Sequence, residues 1–247
     1  MPRSERIKSK TGIYHVILRG INRQDIFNDE EDYETFIKIL TRCKSTSGFI
    51  LITYCLMSNH FHLLIKDENE DLSMIIKRIA GSYVYWYNHK YHRSGHLFQD
   101  RFKSETVEDD GNFLAIMRFI HRNPIKAGLC KEIGEYGFSS YNDIIDGKSN
   151  LVDTDYINLI IYKDEFIRFC NEKNNDICMD IDNTYRVSDA DAKKMIKKVS
   201  GCENEAEFQG LEYERRGKCI SELKENGLSI RQINRLTGIS FALARKF

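Results

Sequence analysis

Residues 49–66 read FILITYCLMSNHFHLLIK, two apolar runs that meet at Ser58 and Asn59. The first run, 49–57, is short and densely apolar, which is typical of a buried strand. Serine and asparagine favour a turn, and residues 60–66 then return as a second strand. The centre of the chain therefore predicts a buried β-hairpin.

The segments on either side of the hairpin alternate between strand and helix patterns. β-branched and aromatic residues predict further strands at 13–19 and 97–107. Apolar residues at helical spacing predict helices at 29–46, 71–90 and 110–122. The last helix is expected to end before Pro124, because proline disfavours helix in the residue ahead of it. This order predicts an α+β sandwich, an antiparallel sheet with helices packed on one face.

The pattern weakens beyond about residue 145, and it divides the chain into three parts. The sandwich is expected to occupy 1–148, and a polar, acidic connector 149–188. Residues 189–247 are expected to be all-helical, with breaks at Gly201, Gly217, Gly227 and Gly238. Near the end, Ser229 and Ser240 are suited to cap two short helices on either side of Thr237-Gly238-Ile239, which is helix-turn-helix spacing.

Composition restricts the class of protein. The chain of 247 residues has 37 basic and 37 acidic side chains, so wholesale coating of nucleic acid is disfavoured, although a local basic groove is compatible with this balance. It lacks both the roughly 18 apolar residues of a membrane span and the apolar core of a secretory signal. A cytoplasmic protein without a membrane partner is expected. Seven scattered cysteines predict reduced thiols rather than a disulfide framework.

His60-Phe61-His62 is the sharpest chemical feature. Residues i and i+2 of a strand point to the same face, about 7 Å apart along the strand. Two imidazoles can then converge on one cation, while Phe61 anchors the opposite face in the core. Two histidines that merely form hydrogen bonds at a sheet surface are the alternative, and the short motif alone does not decide between them.

Five blocks around this motif, in order, resemble the HUH single-tyrosine transposases, particularly the REP-associated tyrosine transposases. The third resembles the family pattern R-x-G-x-L-x-x-x-R-[FY]-K-S, the fourth R-Y-I-H-x-N-P-x-[KR]-A-G and the fifth W-S-S-Y. The blocks are VILRGINRQDIF at 16–27, YCLMSNHFHLL at 54–64, HRSGHLFQDRFKS at 92–104, RFIHRNPIKAGL at 118–129 and FSSY at 138–141. The resemblance covers roughly residues 13–145.

The resemblance implies a ferredoxin-like sandwich that nicks and joins single-stranded DNA. In the family, a tyrosine on the last helix attacks a backbone phosphate and stays linked to the 5′ end, which is covalent catalysis. A divalent metal, Mg²⁺ or Mn²⁺, polarises the phosphate. Carried over to this chain, the metal ligands are His60, His62 and, as a third oxygen ligand, Asn123. Single-stranded or hairpin DNA is the implied partner.

The chain departs from the family at the nucleophile. The family's tyrosine lies four residues before the asparagine of the N-P block, and that position is Phe119 here. Tyr85 and Tyr87, off the apolar stripe of the preceding helix, are weak substitutes. Two hypotheses follow: a transposase with impaired nicking, or a catalytically inactive protein that binds DNA hairpins or duplex. An unrelated metallohydrolase that uses metal-bound water is a third.

Basic and polar side chains near these blocks are candidate DNA contacts, each weighed against ordinary solvated charge. Those expected in the sandwich are Arg19, Asn22, Arg23, Arg101, Lys103, His121 and Arg122. Arg101 and Lys103 alternate with Phe102 and are expected to share one face of a strand. In the C-terminal part they are Arg231, Gln232 and Ser240, which would serve duplex DNA; a helical hairpin that only packs is the alternative. The sequence leaves open whether the chain is a monomer or a dimer.

Overall fold

The central hairpin forms as the sequence predicts. In the computed structural model, strand β2 spans Ile50–Met57 and strand β3 spans His60–Lys66. Their register pairs Cys55 with His62 and Met57 with His60. The structure describes residues 7–147, 149–172, 174, 176, 178–180, 189–202, 204–226, 228 and 230–247.

Two outer strands complete an antiparallel sheet in the order β2-β3-β1-β4. Strand β1 is Ile13–Arg19 and pairs with β3, and strand β4 is Lys103–Thr106 and pairs with β1. Helix α1, Glu30–Ser47, follows β1, and helix α2, Leu72–Lys90, follows β3. The β-α-β-β-α-β order is that of a ferredoxin-like sandwich, so the predicted fold class is confirmed.

Helices α1 and α2 cover the sheet face that Phe61 occupies. The Phe36 ring of α1 lies 4.7 Å from the Phe61 ring and 5.0 Å from the Tyr83 ring of α2. Because side chains alternate along a strand, His60 and His62 point to the other face. The histidine pair therefore lies across the sheet from α1 and α2.

A third helix, α3, spans Asp110–Lys126 and packs on the histidine face. The prediction of helices on one face only is wrong, because residues on both faces of β3 are buried and each face needs a cover. The predicted end before Pro124 is also wrong. Proline removes one N–H from the ladder, but Ala127 N still donates to Asn123 O at 2.9 Å. Burial of Ile120 and Asn123 favours the longer helix.

The fourth strand is shorter than the predicted 97–107. Residues 97–102 instead bond to the loop after β1: Ile21 N donates to Leu97 O at 2.8 Å, and Gln99 N donates to Arg19 O at 2.9 Å. Only a bridge between Gly20 and Phe98 continues the pairing in this region. Arg101 consequently precedes the strand, whereas Lys103 begins it.

Residues predicted as a connector pack on the sandwich as short helices. After helix α4, Tyr141–Asp146, come α5, Thr154–Asn158, and α6, Lys163–Asn171. Asp153 N donates to Leu51 O of β2 at 2.9 Å. The core residues supplied by 149–171 are Leu151, Val152, Ile157, Ile161, Phe166 and Cys170. The first compact unit accordingly spans Met1–Ile181.

The second unit, Asp182–Phe247, has its own core, and the part of it that the structure describes is helical. Its helices are α7, Asp189–Ser200, α8, Glu205–Gln209, α9, Tyr213–Glu225, α10, Ile230–Thr237, and α11, Phe241–Lys246. The expected break at Gly217 is absent, since this glycine lies inside α9, and Gly227 and Ser229 lie outside the described residues. The turn at Gly238 has φ +68°, and Ser240 caps α11 by accepting from Leu243 N at 3.3 Å.

None of the helices that the structure describes combines the length and apolar character needed to cross a membrane.

Candidate metal centre and DNA-binding face

The two histidines of β3 and an asparagine of α3 come together beneath that helix. The rings of His60 and His62 have centroids 5.0 Å apart. Asn123 Nδ2 lies 2.9 Å from His62 Nε2. All three side chains are buried, so the structure brings the three predicted metal ligands into one cluster.

Two buried polar atoms of this cluster fit a cation. His60 Nε2 and Asn123 Oδ1 have no hydrogen-bond partner among the residues that the structure describes. A buried polar atom without a partner costs about 1–3 kcal/mol, and a cation bound between them would accept both lone pairs. Within the described part of the chain, no group of three or more His, Cys, Asp or Glu side chains is arranged to hold a metal. The cluster would therefore hold an ion with imidazole and amide ligands.

Burial keeps the histidines neutral, which is the state that binds metals. The pKa of His60 is lowered to about 4, first by burial and then by the positive charge of Arg19. The pKa of His62 is lowered well below its ordinary value by burial, with further contributions from His60, His15 and Lys126. Both imidazoles are consequently neutral at neutral pH; His60 Nε2 is without a partner among the described residues, and His62 Nε2 accepts from Asn123 Nδ2.

Phe119 lies at the position of the family nucleophile. Its ring is 5.8 Å from the His62 ring and 6.0 Å from the His15 ring, both edge-to-face. The Lys126 ammonium lies 5.1 Å from its centroid. The helix therefore places residue 119 against the histidines, and its side chain carries no hydroxyl.

Neither substitute tyrosine reaches this cluster. Tyr85 and Tyr87 lie on α2, across the sheet from the histidines. Tyr85 is 80% exposed, whereas Tyr87 is buried and donates to Asp25 O at 3.3 Å. Although Tyr87 is off the apolar stripe of α2, it is not exposed, because the helix turns this side chain toward the loop before α1.

Two of the predicted DNA contacts lie on the histidine face. Arg19 pairs in register with His60, and Lys103 pairs with Ile17, which itself faces His62. Residues paired across antiparallel strands project to the same side. Arg19 also donates to Gln99 Oε1 at 3.1 Å. Both cations thus share the sheet face of the predicted metal ligands, Arg19 next to His60 and Lys103 one strand further away.

Asn22 and Arg23 continue from Arg19 in an unusual conformation. Their φ angles are +52° and +61°, in the left-handed region. Residues other than glycine adopt this region infrequently, and asparagine more readily than arginine. Asn22 is exposed and Arg23 half-buried. The loop therefore holds both residues at the end of β1, beside the start of β3.

The structure places three other predicted contacts of the first unit away from the histidine pair. His121 is fully buried, its Nε2 2.6 Å from Thr53 Oγ1 and 3.0 Å from Ser140 Oγ, and burial lowers its pKa to about 3. It lies two residues, about 200° of helix, from Phe119. Arg122 donates to Cys170 O at 2.9 Å, toward α6. Arg101 lines an apolar groove beside Leu18 and α2, so it does not share a face with Lys103.

Two of the three predicted DNA contacts of the second unit, Gln232 and Ser240, differ in their exposure to solvent. Gln232 is 5% exposed and so is not available to DNA. Ser240 is exposed and uses its hydroxyl as the cap of α11. The side chain of Arg231 lies outside the described residues. A role for this unit in duplex binding stays a prediction.

Sequence reasoning missed three residues next to the histidines. His15 stacks on His62 with centroids 5.3 Å apart, and Glu105 lies 3.4 Å from its Nδ1. Lys126 lies over Phe119. Lys126 matches the [KR] position of the fourth family block, so the sequence could have identified it. His15 and Glu105 become neighbours only through the pairing of β1 with β3 and β4, which the sequence does not specify.

An antiparallel ferredoxin-like sheet with two histidines in H-x-H spacing on β3, facing an amide from α3, is the architecture of the HUH transposase class. Residues 8–123 match the family model described as IS200-like transposase. Over these residues the chain is similar to that family.

One of two similar solved structures supports the fold. A REP-associated tyrosine transposase bound to a REP hairpin superposes with a TM-score of 0.52 at 18% identity, covering 63% of this chain and 90% of that one. A putative transposase from Deinococcus radiodurans R1 has a TM-score of 0.36 at 19% identity, covering 49% of this chain and 97% of that one. None of the curated proteins matches the sequence.

Proposed function

We propose that this protein binds single-stranded or hairpin DNA beside a divalent metal held by His60, His62 and Asn123, and that it does not nick the bound strand. The observation that carries the proposal is the position of Phe119, whose ring contacts His62 and His15. The three proposed ligand side chains lie together, whereas the position at which the family carries its nucleophilic tyrosine holds a phenyl ring. DNA binding is therefore retained and phosphotyrosine formation is lost.

The proposed ligand atoms indicate which of the two ions would bind and what it would do. His60 and His62 would contribute ring nitrogens and Asn123 its amide oxygen. Of the two ions that the family resemblance implies, Mn²⁺ suits imidazole ligands better than Mg²⁺, which prefers oxygen. When bound, the ion polarises a backbone phosphate and offsets its charge. In this chain it would hold the phosphate in place.

Cations around the cluster support binding of a phosphate backbone. Arg19 and Lys103 share the sheet face of the histidines, and the ammonium of Lys126 lies over the Phe119 ring. Side chains of this kind position a nucleic acid by its phosphates rather than by its sequence. The solved REP-associated transposase is described as bound to a hairpin, which suggests the same class of ligand here.

An adduct assay tests the proposal. The full chain is incubated with a labelled hairpin that has single-stranded flanks, with Mn²⁺ or with EDTA, and run on a denaturing gel. We expect no covalent adduct from the wild type. Phe119→Tyr restores the hydroxyl and should form an adduct in Mn²⁺ only. Phe119→Leu serves as the matched control for altered packing, because it also changes the ring but adds no nucleophile.

A binding assay on native gels completes the test. Mn²⁺ should strengthen hairpin binding by the wild type and by Phe119→Tyr, and the double variant His60→Ala/His62→Ala should lose this dependence on metal. A wild-type adduct that survives denaturation would show that the protein is a nicking enzyme. Multiple-turnover hydrolysis without an adduct would instead favour a metallohydrolase.

A further inference from the structure

A line of hydrogen-bonding groups runs from the edge of the sheet to His62. His15 Nε2 lies 3.0 Å from His62 Nδ1, and His15 Nδ1 lies 3.4 Å from Glu105 Oε2. His15 is fully buried. Glu105 Oε2 also accepts from Met179 N at 3.1 Å. The other ring nitrogen of His62 faces Asn123.

The acidic end of this line determines where each proton lies when both imidazoles are neutral. An ionised carboxylate only accepts hydrogen bonds, and the hydrogen bond from His15 holds the pKa of Glu105 below its ordinary value. His15 Nδ1 must therefore donate, which leaves His15 Nε2 as an acceptor. His62 Nδ1 then donates to it, and the unprotonated His62 Nε2 accepts from Asn123 Nδ2 at 2.9 Å, a hydrogen bond that a metal ion would replace.

His60 reaches the same state through a different neighbour. Its Nδ1 lies 2.6 Å from Asn59 Oδ1. The amide oxygen only accepts, so His60 Nδ1 carries the proton and His60 Nε2 keeps its lone pair. The two histidines thus present equivalent atoms to one site, although only His62 depends on a second imidazole and a carboxylate.

We propose that His15 and Glu105 are positioning residues that hold His62 in the Nδ1–H tautomer and so direct its Nε2 lone pair at the metal. This inference rests on the proposed function, because it assumes a metal at His62. Partners that bond the far nitrogen of a ligating histidine orient the ring and raise its basicity. Changing such a partner typically lowers metal affinity roughly 10- to 100-fold.

The tautomer can be read in the wild-type protein without any substitution. Long-range ¹H–¹⁵N correlation spectra of the full chain, metal-free at pH 8, distinguish a protonated from an unprotonated ring nitrogen. His62 and His15 should both carry the proton on Nδ1. A spectrum in which the His62 proton is on Nε2 overturns the proposal.

Titration with Mn²⁺ alone, followed by electron paramagnetic resonance, gives the second readout. His15→Phe keeps the ring volume but removes the acceptor, and should weaken Mn²⁺ binding roughly 10- to 100-fold. His15→Gln places an amide oxygen near the former Nε2 and should recover most of the affinity. His121→Phe is the matched control, since it removes an equally buried histidine that bonds Thr53 and Ser140 instead.

The outcomes separate this inference from the function on which it rests. If His62→Ala abolishes Mn²⁺ binding while His15→Phe behaves as His121→Phe does, the positioning role is wrong and the metal site stands. If His62→Ala binds Mn²⁺ as the wild type does, the metal site itself is wrong. Loss with His15→Phe and recovery with His15→Gln support both.

Discussion

Replacing Asp176 by asparagine tests whether the segment after α6 is part of the first unit. The Asp176 carboxylate binds the Arg118 guanidinium of α3 through two atoms, at 2.7 Å to Nε and 2.9 Å to Nη2. Arg118 also donates to Phe169 O at 3.2 Å and stacks 3.8 Å above the Phe169 ring. The aspartate thus neutralises a cation that is otherwise enclosed by protein.

The expected magnitude follows from burial. Removing one partner of a fully buried ion pair costs about 3–5 kcal/mol. The side chains of Arg118 and Asp176 keep 10% and 14% of their exposure, so we expect about 2–3 kcal/mol for Asp176→Asn. Glu172 provides the matched control, because it lies 3.8 Å from the same guanidinium and is 65% exposed. Glu172→Gln should cost below about 0.5 kcal/mol.

Urea denaturation measures both variants. The chain contains one tryptophan, Trp86 on α2, so its fluorescence follows the first unit. The double variant Arg118→Met/Asp176→Asn should be more stable than Asp176→Asn, because no charge is then left unpaired. The reasoning is refuted if Asp176→Asn costs no more than Glu172→Gln.

Four further outcomes are expected. Phe166→Ala should destabilise the first unit by about 3–5 kcal/mol, since Phe166 of α6 is 1% exposed. Tyr162→Ala is the control and should change the stability in urea little, because this side chain is 73% exposed. Equal effects of the two substitutions would contradict the packing of α6. Lys103→Ala should reduce the steepness of log affinity for single-stranded DNA against log salt concentration by about 0.7. Lys38→Ala on α1 is the control and should leave this slope unchanged, because Lys38 pairs with Glu34. Fluorescence anisotropy at several salt concentrations measures both slopes. Because the pKa of His60 is lowered to about 4 and that of His62 is also lowered, Mn²⁺ affinity should fall less than about twofold from pH 7 to pH 5.5, whereas two exposed histidines would lose on the order of 50- to 100-fold. A steep fall in calorimetric titrations would show that the histidines are exposed to protons. In the unfolded chain His60 is protonated below about pH 6.5, whereas in the folded protein it stays neutral down to a pKa of about 4. The stability of the metal-free protein should therefore decrease as pH falls from about 6.5 toward 4.

Local pattern predicted the hairpin well, and also the placement of His60 and His62 on one face of β3. β3 has the predicted bounds, since Ser58 and Asn59 mark its start and the alternation of His60, Phe61 and His62 determines which side chains share a face. Pro124 misled the prediction of α3, because burial of neighbouring side chains outweighs one lost hydrogen bond. That balance depends on tertiary packing, which a local pattern does not contain.

Residues 149–171 show a different limit. Their core side chains, such as Ile157 and Phe166, are sparse and lie on helices too short for a clear periodicity. His15 shows a third limit, since its partners Glu105 and His62 are 90 and 47 residues away in the chain. Only the strand register joins them, and several registers are compatible with β-branched sequences of this kind.

The phenylalanine at position 119 also determines how few mutations separate this chain from one with a tyrosine there. Every phenylalanine codon becomes a tyrosine codon by a single substitution in its second base. The ring sits edge-on to two histidines and is 8% exposed, so the backbone and its neighbours already accommodate a six-membered ring there. A hydroxyl at position 119 is therefore one mutational step away, and that step would leave the helix, the sheet and the three predicted ligands unchanged.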